Sequence, residues 1–379
     1  MLYIIIFLRK STFKIHLCAF FKEILKKNAG FNPAGLNPAE KICYTNPMFN
    51  KKLDFIGVGD IVTDAFIELS HAWIETDNPK QEKELCMKFG DKLPFEDVVV
   101  VPAVGNSPNA TTSAHRLGLS AGLVSNTGDD DFGKEQVRAL KEEGISTKYV
   151  TIHKNKKSNY HYVLRYGAER TILVKHTEFE YAFPNISPAP SYMYLSSLAE
   201  NSLEYHHQIA EYLAKNPETK LAFQPGTFQM KLGYEALKDL YEHTYLFFCN
   251  KEEAQRILKS EEEDIKVLLQ KVKDLGPQVP IITDGPNGAY ALFDSKIYFV
   301  PMYPDPSEPI DRTGAGDSFA STVTSALALG KPIQEALLWG PINSMSVVQH
   351  IGAQKGLLTQ KQIEEFLSKA PSNYKVVEV

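Results

Sequence analysis

The sequence predicts an α/β protein organised as a doubly wound, mainly parallel sheet with helices on both faces. Three observations lead there. From residue 192 onward, Tyr192–Leu195, Leu221–Phe223, Tyr245–Cys249, Pro280–Thr283 and Tyr290–Phe293 are compact apolar runs. Strands buried on both faces have this undivided hydrophobicity. Between most of these runs lie amphipathic helical patterns, at Leu203–Lys215, Tyr234–Tyr241, Lys251–Leu258 and Ile265–Leu275, and such alternation builds βαβ units. Finally, the polar and glycine-bearing motifs fall at the carboxyl ends of the predicted strands, where open α/β sheets hold ligands.

Composition sets the outer limits. A chain of 379 residues, 43% of them hydrophobic, with a formal net charge of −5, can bury a sizeable core in one large domain or two smaller ones. Basic and acidic residues are interspersed, with no basic block to track a phosphate backbone, so nucleic acid is not an expected partner. Cys18, Cys43, Cys86 and Cys249 are scattered without metal-ligand spacing, which points to neither a disulfide framework nor a zinc site and favours a reducing, cytoplasmic setting. His206 and His207 sit in an amphipathic helix, as packed or solvated histidines do.

Residues 1–47 differ from the rest. Their apolar runs, Leu2–Leu8 and Ile15–Phe21, are separated by Arg9, Lys10 and Lys14, and neither approaches the roughly 20 residues of a membrane helix. The expectation is a dispensable extension, poorly ordered or preceding a natural start at Met48, with the functional domain over 48–379 and no membrane partner.

The elements then follow in order. Asp54–Gly59 reads as a strand ending in glycines, and Asp60 and Asp64 come next. Gly57 and Gly59 begin a GxG without its third glycine, so a dinucleotide fingerprint is weak. Asp60 and Asp64 are either hydroxyl-binding carboxylates or solvated loop residues. The polar stretch from residue 70, closing in the β-branched run Val98–Val101, reads as an inserted flap. Gly105-Asn-Ser-Pro-Asn109 is turn chemistry entering a helix, Ala121–Asn126 is a strand, and Lys134–Glu143 is a helix stopped by Gly144. Tyr149–Ile152, Tyr160–Tyr166 and Thr171–Lys175 form a second β-rich stretch.

Chemistry concentrates in Asp311-Arg-Thr-Gly-Ala-Gly-Asp317-Ser-Phe. The two glycines free the backbone to turn its N–H groups toward an anion, and a helix runs from Asp317 to Gly330. Its dipole favours negative charge at this end, and Asp317 places a carboxylate beside it, as a general base beside a phosphate cradle would be. A capped glycine turn explains the same residues equally well. Asn250-Lys-Glu-Glu253 opens another helix just after a strand. It fits either a capping box or a sparse Mg²⁺ or phosphate site. Thr283-Asp-Gly285-Pro-Asn-Gly288 is either a hairpin turn or a loop lying along a nucleotide.

Together these stretches resemble the ribokinase, or PfkB, family of carbohydrate and nucleoside kinases. Asp311–Asp317 is similar to its C-terminal signature, and Gly57–Asp64, Gly105–Asn109 with Arg116-Leu-Gly, Thr127–Gly133, Asn250–Glu253 and Ile351–Gln354 with Gly356 occur in the family's order. The resemblance spans about residues 53–367. It implies a ribokinase-like sheet and a small β-sheet lid, from segments near 70–101 and 149–175. It also implies phosphoryl transfer from ATP to an alcohol, with Asp317 as base and Gly314, Ala315 and Gly316 holding developing charge. Asp60, Asp64, Gly105 and Asn109 would grip the acceptor. Asn250, Thr283, Gly285, Gly288 and Asn343 would line the nucleotide. Asn250 and Glu253 would organise Mg²⁺ through water, and Asp311 with Thr313 would bear on a K⁺ loop. Members often dimerise through the lid.

The chain departs from the family pattern at Val104, where a second glycine is usual, at Arg312 and Thr322, and at Gln224-Pro-Gly226, often written Asp-Pro-Asn. These departures bear on the substrate. A sugar is the favoured acceptor. A nucleoside would need an aromatic wall, for which Tyr160, Tyr162 and Tyr166 are candidates, and a sugar phosphate would need cations such as Arg165, Arg170 and Lys175. From another class, a silent sugar- or nucleotide-binding regulator would be free to lose Asp317.

Overall fold

The computed structural model describes residues 52–76, 83–167 and 169–379, all within the compact unit Lys52–Val379. The extension expected over residues 1–47 lies outside them. The chain enters through β1 (Phe55–Val58), which is followed by β2 (Val62–Leu69), β3 (Ala72–Glu75), β4 (Glu84–Met87) and β5 (Phe95–Val104). Next come α1 (Asn106–Arg116), β6 (Ala121–Gly128), α2 (Asp131–Glu142), β7 (Ser146–His153), β8 (Asn159–Tyr166) and β9 (Glu169–Leu173). The alternating half comprises β10 (Tyr192–Leu195), α3 (Leu203–Lys215), β11 (Lys220–Phe223), α4 (Thr227–Leu232), α5 (Tyr234–Glu242), β12 (Thr244–Asn250), α6 (Lys251–Leu258), α7 (Ile265–Asp274) and β13 (Val279–Thr283). It closes with β14 (Ala289–Phe293), β15 (Lys296–Val300), α8 (Ala315–Ala328), α9 (Ile333–Val348), α10 (Gln360–Ser368) and β16 (Val377–Glu378).

The main sheet has ten strands in the order β16-β15-β14-β13-β12-β11-β10-β1-β6-β7. Every pairing from β7 to β13 is parallel, and the remaining three are antiparallel. The chain runs outward on both sides of β1, so the strand order reverses beside it and a crevice opens at the carboxyl ends there. Alternate side chains of β1 and β10 feed opposite faces. Phe55 and Tyr194 join Phe319, Val323 and Trp339 under α8 and α9, whereas Ile56, Val58, Met193 and Leu195 join Ile209, Leu240 and Leu269 under α3, α5 and α7. His206 is packed inside this second layer, with Nδ1 2.6 Å from the Ser202 carbonyl, and burial pulls its pKa down to about 4.

The lid is a separate four-stranded sheet, β5-β2-β8-β9, with the β3–β4 hairpin beside it. Residues 149–153, assigned to the lid, form part of β7 and pair in parallel with β6 at the edge of the main sheet. The lid proper takes β2, whose register with β8 runs from Val62↔Asn159 to Glu68↔Arg165. Because side chains alternate on a strand, Asp64, His161, Arg165 and Arg170 share the inner lid face. Ala65, Val100, Tyr162 and Leu173 share the other. Phe66, on the inner face, lies 3.6 Å from the place a Cβ would occupy on Gly352, which shows the lid packed on the loop after α9.

Candidate active site

The glycine loop before α8 is fastened from below. Asp311 is 1% exposed. Its Oδ1 accepts from the Thr313 amide and hydroxyl at 2.9 and 2.7 Å, and its Oδ2 accepts from the Gly352 amide at 2.9 Å. Asp311 thus ties Thr313 to the loop after α9 through Gly352. Gly314 is required by its conformation, with φ +81°, and by its neighbour, because a Cβ there would lie 2.2 Å from the Ala353 Cβ. Gly316 differs. A Cβ there would meet only the Gln224 amide nitrogen, at 3.6 Å, so the protein itself would tolerate a methyl group and the open space fits a ligand. The first amides of α8, including Gly316 and Asp317, have no intrahelical acceptor and offer themselves to an anion.

Asp317 lies in this first turn and is 7% exposed. Its carboxylate receives the Asn106 amide at 2.7 Å on Oδ1 and the Asn109 amide at 3.0 Å on Oδ2. Gln354 fixes the orientation of Asn109, since its amide donates at 3.0 Å to Asn109 Oδ1 and so turns the NH₂ toward Asp317. Arg116 in turn donates to the Gln354 carbonyl at 2.6 Å and pairs with Glu143. On the opposite side the Tyr194 hydroxyl donates to Gln224 Oε1, which leaves the Gln224 amide to donate to Asp317. The departure from Asp-Pro-Asn thus has a local consequence, because a donor stands where an aspartate would repel the Asp317 carboxylate. Burial pushes the Asp317 pKa above the usual carboxylate value, and the bonds from Asn109, Asn106 and Gln224, with the charge of Arg170, pull it part of the way back.

Of the residues expected to grip the acceptor, Asp60 and Asp64 lie at the end of β1 and the start of β2, and Gly105 lies at the end of β5. Asp60 accepts the Tyr181 hydroxyl on both oxygens, at 2.8 and 2.9 Å, with His176 Nδ1 3.5 Å away. Burial, then the Asp60 charge, raise the Tyr181 pKa far above its ordinary value, so Tyr181 stays a donor. Asp64 lies 3.4 Å from His161 Nδ1. Gly105, with φ +115°, caps α1, and a side chain there would collide with the Asp60 carbonyl at 2.7 Å.

On the other flank, Asn250 and Glu253 form the capping box of α6. Asn250 Oδ1 accepts from the Glu253 amide at 2.8 Å, and Glu253 Oε2 accepts from the Asn250 amide at 2.9 Å. Burial raises the Glu253 pKa, and the Asp317 charge adds to this, which places the two carboxylates within electrostatic reach. Thr283 pairs in register with Asn250, and Gly285 and Gly288 shape the turn joining β13 to β14. Asn343 is placed elsewhere. It is fully buried, its amide donates to Thr322 at 2.7 Å, and its Oδ1 accepts from the Leu358 amide at 2.9 Å, so it joins α8 to α9 instead of lining a ligand.

Sequence reasoning missed Asn106, Tyr181, His161 and His176, and marked Gln224 only as a departure from the family pattern. Asn106 stood inside a motif already singled out, and Gln224 stood at a strand end. The other three carried no local signal, because only the folded chain brings β8 and the segment between β9 and β10 to Asp64 and Asp60.

A buried carboxylate at a glycine-opened helix start, with the buried carboxylates of Asp60 and Asp64 at the end of β1 and the start of β2 beside the lid, is an arrangement suited to transfer of a small charged group. The family model described as pfkB family carbohydrate kinase matches residues 82–360. Ribokinase of Bacillus subtilis (strain 168) is 29% identical over 300 residues, covering 74% of this chain and 92% of the relative. Nucleoside kinase of Methanocaldococcus jannaschii is 25% identical over 276 residues, covering 70% and 85% respectively. The solved structure of Arabidopsis thaliana ribokinase complexed with ribose and ATP superposes with a TM-score of 0.69 at 19% identity, over 84% of this chain and 99% of that one. The chain belongs to the pfkB family of carbohydrate kinases, and is an ATP-dependent phosphotransferase with an alcohol group as acceptor.

Proposed function

We propose that this enzyme transfers the γ-phosphoryl group of ATP to a hydroxyl group of a sugar, with Asp317 as general base. The observation that carries this is the Asp317 carboxylate, buried in the first turn of α8 and held by the amides of Asn106, Asn109 and Gln224. Its raised pKa brings it nearer to operating pH and makes it a better proton acceptor than a solvated aspartate. The acceptor hydroxyl would lie between Asp317 and the Asp60–Asp64 flank and give up its proton to Asp317. Gly314, Ala315 and Gly316 would let the helix amides face the negative charge that develops on the transferred group, in a site the lid keeps dry.

Bound ATP with Mg²⁺ would supply the phosphoryl group and neutralise its charge. The residues present fit such a metal sparingly. Glu253 has one oxygen in its capping bond and a second for a metal-bound water, as suits an ion that keeps most of its waters. Thr283, Gly285 and Gly288 would border the nucleotide. The free thiols of Cys86 and Cys249 agree with a reducing, cytoplasmic setting. The exposed apolar row Val100, Tyr162 and Leu173 on the outer lid face supports a homodimer formed there.

A sugar-phosphate acceptor is the second reading. It is favoured by Arg170, on the inner lid face, whose Nε is buried without a partner. The lid offers less to a nucleobase, because Tyr160, Tyr162 and Tyr166 alternate onto the outer face, where Tyr160 packs on Phe132. The test is Mg-dependent ATP consumption across neutral sugars, sugar phosphates and nucleosides, with the product identified by mass. A neutral sugar gaining one phosphoryl group is the expected result. Binding of a sugar with no ATP consumed would instead describe a silent regulator.

A further inference from the structure

The acceptor flank holds polar atoms that the protein itself leaves unsatisfied. Asp64 Oδ1, His161 Nε2 and His176 Nδ1 are buried without a hydrogen-bond partner. Buried polar atoms in native proteins are nearly always paired, so three together mark a place where a ligand completes the network. The separations show what kind of ligand. His161 Nδ1 lies 3.4 Å from Asp64 Oδ1, and His176 Nδ1 lies 3.5 Å from Asp60 Oδ2. Both are longer than a good hydrogen bond. No atom fits between the two groups of either pair, but a hydroxyl group lying beside them can donate its proton to the carboxylate while its oxygen accepts from an imidazole N–H, at the unpaired His161 Nε2 or His176 Nδ1.

The two rings meet edge to face with centroids 5.3 Å apart, so the two Asp–His pairs stand side by side. Phe228 meets His176 edge-on at 6.0 Å and adds an apolar flank for ring C–H groups. Tyr181, donating to both oxygens of Asp60, holds that carboxylate in place. We propose that the Asp64–His161 and Asp60–His176 pairs read two neighbouring hydroxyl groups of a neutral polyhydroxylated sugar, which makes His161 and His176 the residues that set acceptor specificity. The proposal rests on the kinase reading for the presence of an alcohol at this flank, and extends it to the class of alcohol. A phosphate on this flank would face the carboxylates of Asp60 and Asp64.

The test is direct binding, which does not depend on turnover. Isothermal titration of the full chain with D-ribose, D-fructose and D-glucose, and with the deoxy analogues of each, gives Kd for the wild type and for His161→Phe and His176→Phe. These variants keep a ring and remove its nitrogens. For the sugar bound best, each variant is expected to weaken Kd about tenfold, the scale of one lost hydrogen bond. The deoxy analogue lacking the matching hydroxyl is expected to bind wild type and variant alike, which a merely structural role would not produce. His161→Gln, which restores a side-chain donor, is expected to recover part of the loss. Equal weakening for the parent sugar and every deoxy analogue overturns the proposal, as does failure of the wild type to bind any of the neutral sugars. Phosphorylation of adenosine or fructose 6-phosphate without neutral-sugar binding overturns it too, and leaves the kinase reading standing. Sugar binding with the hydroxyl-specific loss but no ATP consumption upholds it while the kinase reading falls.

Discussion

The Asp317 carboxylate is penalised by burial and rescued by amides, and this balance has a measurable consequence. With Asp317 as the proposed base its deprotonated form would be the working one, so kcat/KM is expected to rise with pH through a pKa above the ordinary aspartate value. The Asn106 amide stabilises the charged form. Removing it in Asn106→Ala raises the Asp317 pKa further, so the acid limb of the pH–rate profile is expected to move to higher pH. A limb that stays in place, or moves to lower pH, would show that Asp317 is not the group being titrated. This network also marks the limit of what the chain reveals one stretch at a time. Asp317 and Asn109 were legible because each stood in a recognisable motif. The bond from Asn106 spans 211 residues, and the contact of His161 with Asp64 requires β2 and β8 to pair within the lid. Neither leaves a periodic trace. Asn343 shows the reverse case, a residue matched by motif whose side chain is used within the protein.

At the level of elements, the glycine loop separates conformational need from ligand space. Gly314→Ala meets both a left-handed backbone and the Ala353 Cβ at 2.2 Å, so it is expected to lower Tm and activity together. Gly316→Ala meets only the 3.6 Å contact with Gln224, so it is expected to keep the wild-type Tm while turnover falls, because its methyl group occupies the anion space. Thermal melts beside initial rates distinguish the two, and equal Tm losses would contradict the cradle. The strands from β10 to β14 were legible as apolar runs, and α3 and α6 matched their predicted spans. By contrast α9 gave no amphipathic signal, since it is buried on nearly every side and contains Pro341. For β7, sequence showed a strand but not its partner, and pairing with β6 moved it out of the lid.

Across the whole molecule, the doubly wound sheet was readable from alternation, because each βαβ unit is local, whereas the strand order and its reversal beside β1 came only with the structure. The lid was visible only as inserted β-rich sequence, since β2, β5, β8 and β9 come from three separate stretches. Residues 52–379 hold the sheet, the lid and every candidate site residue. A chain starting at Met48 is therefore expected to match the full chain in Tm and kcat, and loss of either would give the extension a role. The exposed row Val100, Tyr162 and Leu173 predicts that Tyr162→Glu shifts a dimer to monomer in sedimentation, while a wild-type monomer would contradict a lid interface.

The most direct measurement is the turnover of Asp317→Asn at saturating Mg·ATP and acceptor, with acceptor Kd measured in parallel. Loss of the general base is expected to lower kcat by about 10²–10⁴-fold while Kd changes little. Undiminished turnover in Asp317→Asn would contradict the assignment of the base and, with it, the central claim about the site.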